Sequence, residues 1–256
     1  EVYDFAKGKT ITDIDGLAVR LSRPLDFLVV ADHAENIGTM LALSNKDPQL
    51  LKTNTGRFWY EKLKKIGEKN SPNETSQLKG GEFYDDFKKV AFGDKIFKTS
   101  VWQQIINNAE RHNRPRKFTA FIGYEWTRGY KRTSTIEGNI PLRAHMHRVV
   151  IFKDGADKVE QILPFSADDG DTPELLWAYL DNYERMTGGE VLAIPHNPNL
   201  SKGQMFLPKD SQGQAMSRID SEIRSRWEPL VEATQTKGDS ETHPALSPDD
   251  EFADYE

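Results

Sequence analysis

The sequence predicts an α/β protein in which βα units surround a mainly parallel sheet, and three observations support this. Short β-rich apolar runs recur as "LDFLVVADH" (25–33), "FTAFIGYEWT" (118–127) and "VLAIPHN" (191–197), each ending in polar or ionisable residues. Helical patterns lie between the runs, as the alternation of a βα fold requires. The 256 residues are 37% hydrophobic, enough to bury a sizeable core in a single domain over 1–256, and they contain no internal repeat.

Taken in order, the elements have local reasons. The opening "EVYDFAKGK" lacks the apolar centre of a signal peptide. "ITDIDGLAVRLS" (11–22) predicts a hairpin turning at Asp15-Gly16. After the run at 25–33, "HAEN" allows Asp32 to cap a helix. Residues 46–98 are polar and lysine-rich, which predicts a helical insertion decorating the sheet. "TSVWQQIINNAERHN" (99–113) predicts a helix with Thr99 and Ser100 as caps, and His112 as a solvated helix residue. "MHRVVIFKD" (146–154) predicts a further strand. "TPELLWAYLDNYERMTGG" (172–189) predicts a helix capped by Thr172, with Pro173 in its first turn and a glycine pair as its stop. "EPLVEATQ" (228–235) predicts a last strand. The 19 residues from Gly238 carry acids without Lys or Arg and predict an exposed segment.

Composition narrows the function. There are no cysteines, so disulfides and thiolate zinc sites are excluded and any metal must be held by His and carboxylates. The absence of thiols tilts the expectation towards a periplasmic or secreted protein without fixing the compartment. A net charge of −6 and the lack of a basic stripe argue against nucleic acid as a partner. No apolar run approaches the roughly 20 residues that span a bilayer.

In parallel α/β folds, ligands bind beyond the carboxyl ends of the strands. That rule gathers Asp32, His33, Glu125 and His196 at one sheet edge. His147 begins its predicted strand and joins them only if that strand runs the opposite way. Imidazoles beside a carboxylate suit a divalent cation such as Zn, Mn or Fe. Each motif alone has a plainer explanation: "DH" as a capped turn, "GYEWT" as a buried acid paired with an arginine, "IPHN" as a turn, and either His145 or His147 as a packed side chain. Together they fit those explanations poorly, because buried strand ends rarely collect so many ionisable groups.

At "LDFLVVADHAE", "FTAFIGYEWT", "HRVVIF", "LAIPHNPNLS" and "EPLVEATQTKGDSE" the chain resembles a bacterial branch (DUF 3604) of the PHP superfamily, named for polymerase and histidinol phosphatase. The resemblance runs over nearly the whole chain. It implies a distorted TIM-like βα barrel, here incomplete and carrying the insertion, with up to three divalent metals at the strand ends. It implies His33 as ligand of one metal, Glu125 as a bridge between two, and His147 and His196 as imidazoles of a third position. Asp32 would stand behind the ligands. Arg148, Asn197, Asn199, Glu232, Gln235 and Lys237 would contact substrate or orient ligands, with Arg148 offsetting charge on the transferring group.

The superfamily's first His-x-His motif and its closing Asp-x-His motif are absent, and "THP" at 242–244 does not replace the latter. The expectation is a fragment whose site needs flanking segments or a second chain. The implied activity is metal-dependent hydrolysis of a small anionic ester (a phosphate, or a related sulfate or phosphonate), with Glu125, Asp32 and Arg148 nearest the chemistry. The alternatives are a catalytically inactive PHP-like module that binds a metal or an anionic ligand, and an interaction domain that docks a partner through residues 46–98.

Overall fold

The computed structural model describes residues 1–13, 15–35, 37–68, 95–128, 133–136, 140–142, 145–201 and 203–240. Helix α1 (Val2–Ala6) leads to the hairpin of β1 (Ile11–Thr12) and β2 (Ala18–Val19). Gly16 takes φ +83° at the predicted turn, and the Asp13 carboxylate accepts the N–H groups of Asp15 and Leu17. Next come β3 (Phe27–Val29), α2 (Thr39–Ser44), α3 (Pro48–Lys52), α4 (Asn54–Glu68) and α5 (Lys95–His112). The central strands are β4 (Thr119–Trp126), β7 (His147–Phe152) and β8 (Val191–His196). A hairpin of β5 (Thr133–Ile136) and β6 (Ile140–Leu142) lies between β4 and β7. Helices α6 (Ala156–Val159) and α7 (Pro173–Thr187) precede β8, and α8 (Arg218–Trp227) follows it. A small hairpin of β9 (Thr234–Gln235) and β10 (Gly238–Asp239) ends the described chain.

The main sheet has the order β3-β4-β7-β8. Strands β3 and β4 are parallel, whereas β7 is antiparallel to both β4 and β8. The sheet is therefore mixed, not the mainly parallel one expected, and the described residues do not close into a barrel. The reason is the link between β4 and β7. It carries a hairpin where a parallel neighbour would need a crossover, usually a helix.

Aromatic packing anchors the sheet. Trp102, Ile106 and Ala109 of α5, Leu180 and Tyr183 of α7, and Tyr124, Val150 and Phe152 of the strands are all buried in one cluster. Gly123 makes close strand packing possible, since a Cβ there would come within 2.5 Å of Val150 O and Val29 Cγ2.

Three sequence expectations change at element level. Thr99 and Ser100 lie inside α5, where their hydroxyls donate back to the carbonyls of Lys95 and Phe97 instead of capping. The strand expected at 228–235 is reduced to Thr234–Gln235. Pro229 offers no N–H, Leu230 and Val231 are exposed, and the Glu228 and Glu232 carboxylates are committed to side-chain networks. The expected strand at 25–33 is regular only over Phe27–Val29 and resumes as a single parallel bridge, His33 to Glu125. Within the insertion, α3 and α4 help to form a second small core of Ala42, Leu43, Leu50, Trp59 and Phe97. Residues 69–94 of the insertion, and "THP", lie outside the described residues.

Candidate functional site

Strand direction assembles the site. The C-terminal ends of β4 and β8, the segment after β3 and the N-terminal end of the reversed β7 all meet at one sheet edge. His147 pairs in register with His196, and His33 with Glu125. The antiparallel run that His147 required is thus the one observed.

Glu125 is the hub and is buried. Its Oε1 lies 3.4 Å from His33 Nδ1 and 3.8 Å from His147 Nδ1, and its Oε2 lies 3.7 Å from His196 Nε2. Hydrogen bonds fix the rings around it. His196 Nδ1 is 2.6 Å from Glu232 Oε1; a carboxylate only accepts, so the ring donates Nδ1–H, and in the neutral ring the lone pair is on Nε2, the nitrogen facing Glu125. The other Glu232 oxygen accepts the N–H of Asn197 and an amide N–H of Gln235. His147 Nε2 is 2.9 Å from His145 Nδ1, while His147 Nδ1 is buried without a hydrogen-bond partner. Burial, followed by the neighbouring imidazoles and Lys237, lowers the His147 pKa to about 3, so the ring is neutral. Burial and Lys237 push His145 the same way.

The whole chain, residues 1–256, matches a protein-family model described as "Protein of unknown function (DUF3604)". The chain belongs to the DUF3604 family. No curated protein and no solved structure matches it.

In this DUF3604 chain the residues singled out from sequence do not all meet. His33, Glu125, His147 and His196 come together as described. Asn197, Asn199 and Lys237 form an adjoining network in which Asn197 Oδ1 accepts from Gln235 Nε2 and Lys237 Nζ, and Asn199 Nδ2 donates to the Lys237 carbonyl. Asn197 holds φ +58°, a left-handed conformation that asparagine tolerates better than most residues. Arg148 does not join them. Its guanidinium is fully buried, donates to Glu228 and to the Met146 carbonyl, and lies over the Trp126 ring. Neighbours on a strand face opposite ways, so placing His147 at the site turns Arg148 away from it. The role of offsetting substrate charge therefore does not fit Arg148; the exposed Lys237 is a cation beside the imidazoles. Asp32 is exposed, and its main-chain carbonyl accepts the Glu125 N–H. His33 Nδ1 has Thr127 Oγ1 as its hydrogen-bond partner, not the Asp32 expected to stand behind the ligands.

Thr127, Glu35 and Glu228 carry structural duties that sequence reasoning did not assign. Thr127 follows β4 by one residue, and Glu35 is buried two residues beyond His33. Glu35 accepts the N–H groups of Thr127 and Ala167, and burial raises its carboxyl pKa to about 7 against the pull of those bonds. Their signal in the sequence was a place just past a strand end, at the close of "LDFLVVADHAE" and "FTAFIGYEWT".

The donor set can be tested against a divalent cation. In the neutral His196 ring a lone pair faces a carboxylate oxygen 3.7 Å away, an arrangement that a cation between them would relieve. Two ligands that each approach one ion at about 2.0–2.2 Å are naturally separated by such a gap. The pairings of Glu125 with His196 and with His147, whose Nδ1 is buried without a hydrogen-bond partner, therefore fit, and Glu232 behind His196 is the carboxylate support that metal-binding imidazoles usually have. Among the described residues no three such side chains stand as a ready-made cluster, so the fit is pairwise, through Glu125.

Proposed function

We propose that this chain carries the core of a metal-dependent hydrolase of the PHP type, acting on a phosphate ester or a related sulfate or phosphonate ester. The observation that supports it best is the pairing of His196 Nε2 with Glu125 Oε2 across 3.7 Å, with Glu232 holding the proton of the opposite ring nitrogen. In this reading Glu125 is shared between metal positions and His33, His147 and His196 complete the ligand set, with Zn, Mn or Fe as the matching ions. The cation supplies Lewis-acid activation of water and of the ester group. Glu232 holds His196 in the ligating tautomer, and Lys237, steadied by Asn197, offers positive charge to the anionic substrate. With this reading goes the distorted barrel of that superfamily, of which the four-strand sheet would be a segment.

Glu125→Gln tests the proposal, since it preserves volume and removes the shared charge. Elemental mass spectrometry on the wild type should find bound divalent metal, and Glu125→Gln should lose at least half of it with little change in thermal stability. A chromogenic phosphate- and sulfate-ester assay should show turnover that the variant lacks. Unchanged metal stoichiometry in Glu125→Gln would count against the shared carboxylate. The pairwise fit also suits a second reading, an inactive module that holds a metal or an anionic ligand; metal without turnover would favour it.

A further inference from the structure

The hydroxyl of Thr127 stands between two members of the site, and its hydrogen bonds decide a tautomer. Thr127 Oγ1 donates to Glu125 Oε1 at 2.8 Å, and the same oxygen lies 2.5 Å from His33 Nδ1. A hydroxyl has one proton, and a carboxylate has none to offer. With that proton committed to Glu125, only His33 can supply the proton of the second bond. Glu125 Oε1, 3.4 Å from the same ring nitrogen, adds a second acceptor on that side. A bare Nδ1 lone pair would face lone pairs on both oxygens.

We infer that Thr127 is a positioning residue whose hydroxyl relays the His33 Nδ1–H to Glu125, so that the neutral His33 ring presents Nε2 as its lone-pair nitrogen. The inference rests on the proposed reading of His33 and Glu125 as metal ligands, and it names the atom through which His33 would bind. It also gives the buried Glu35 a purpose. One Glu35 oxygen accepts the Thr127 N–H at 3.0 Å and the other the Ala167 N–H at 2.6 Å, so the backbone that carries the relay is fixed from behind. His33 needs such fixing most, because its ring is 64% exposed whereas that of His147 is 8% exposed and already packed. An exposed imidazole without a partner at Nδ1 would divide between tautomers, and only one of these suits the site.

The test uses the full chain, histidine-labelled with ¹⁵N, and long-range ¹H–¹⁵N spectra that distinguish tautomers, with His33→Ala assigning one ring among the six histidines. Without added metal, wild-type His33 should show the Nδ1–H form. Thr127→Ser should keep it, and Thr127→Val, close in shape but lacking the hydroxyl, should shift it towards Nε2–H. Competition with a chromophoric chelator should then find Zn²⁺ affinity about tenfold weaker in Thr127→Val and nearly unchanged in Thr127→Ser, in line with the cost of losing a group that orients a metal-binding imidazole. A purely structural threonine would give neither the tautomer change nor the rescue by serine. Wild-type His33 in the Nε2–H form would overturn the relay even if Thr127→Val did not fold, as would a Thr127→Val protein with unchanged tautomer and affinity. A wild type that takes up no Zn²⁺ but shows the Nδ1–H form and its loss in Thr127→Val would remove the metal reading and leave the relay standing.

Discussion

Arg148 and His147 are adjacent in sequence, and the pleat of β7 sends them to different environments. His147 turns to Glu125, while Arg148 enters a dry pocket where Glu228 accepts its Nε–H at 2.8 Å and also accepts the Trp177 indole N–H at 3.0 Å. Both side chains of this ion pair are nearly inaccessible, at 1% and 2% exposure. Removing one member of such a pair leaves the other charged and poorly solvated, which typically costs about 3–5 kcal/mol. Arg224 reaches the same carboxylate at 3.6 Å, so Arg148→Met is expected near the lower end, about 3 kcal/mol. Combining it with Glu228→Gln should recover most of the loss, because the stranded charge goes too. Urea unfolding of the single and double variants measures this, and metal content should stay at the wild-type level in any that fold. A residue pair of this kind was half legible: "HR" announced two polar groups on a buried strand, but not that only one of them faces the site.

At the scale of elements, one carboxylate gathers four of them. Asp154, just past β7, accepts the Glu190 N–H ahead of β8 at 2.6 Å and the Tyr183 hydroxyl of α7 at 3.0 Å, and pairs with Lys158 of α6 at 3.0 Å. Burial alone would raise its pKa, but the Glu190 N–H, Lys158 and Tyr183 together outweigh it and hold it below the ordinary 3.8. A carboxyl whose folded pKa is depressed contributes stability above its unfolded pKa and loses it as pH falls through the folded value. Asp154→Asn should therefore cost about 1.5–3 kcal/mol at pH 7, the usual worth of a hydrogen bond to a charged group, and progressively less below about pH 4. Chemical unfolding at pH 7 and pH 3 reads the difference; an equal loss at both would mean that the charge is not what ties these elements. None of this was visible in "FKDG". The caps of α7 were, because their chemistry is local: Thr172 accepts the Leu175 N–H, and Gly188 takes φ +62° at the end. The start of α5 was misread because Thr and Ser hydroxyls satisfy a helix interior almost as readily as a cap.

For the whole molecule, the decisive fact is the direction of β7, which sequence periodicity does not record. Apolar runs show where strands are and polar residues show where they end, so Glu125, His33 and His196 could be gathered by rule alone. Placing His147 with them required knowing that its strand runs backwards, a consequence of the hairpin link from β4. The reversal also puts the site and the aromatic core at opposite ends of one strand. Phe152 is fully buried against Tyr183, Tyr124 and Trp102, at ring-centroid distances of 4.9, 6.2 and 6.3 Å. It lies five residues from His147, about 17 Å along an extended strand. Phe152→Ala opens a cavity there and should cost about 3–5 kcal/mol. Its effect at the site should be slight, because Glu125, His196 and Glu232 are held by bonds at the other end. The expected result is a large drop in melting temperature with Zn²⁺ affinity within about twofold of wild type, measured well below the new melting point. A parallel fall in affinity would mean that core packing sets the spacing of the imidazoles around Glu125, and the strand would have to be treated as one lever joining both ends.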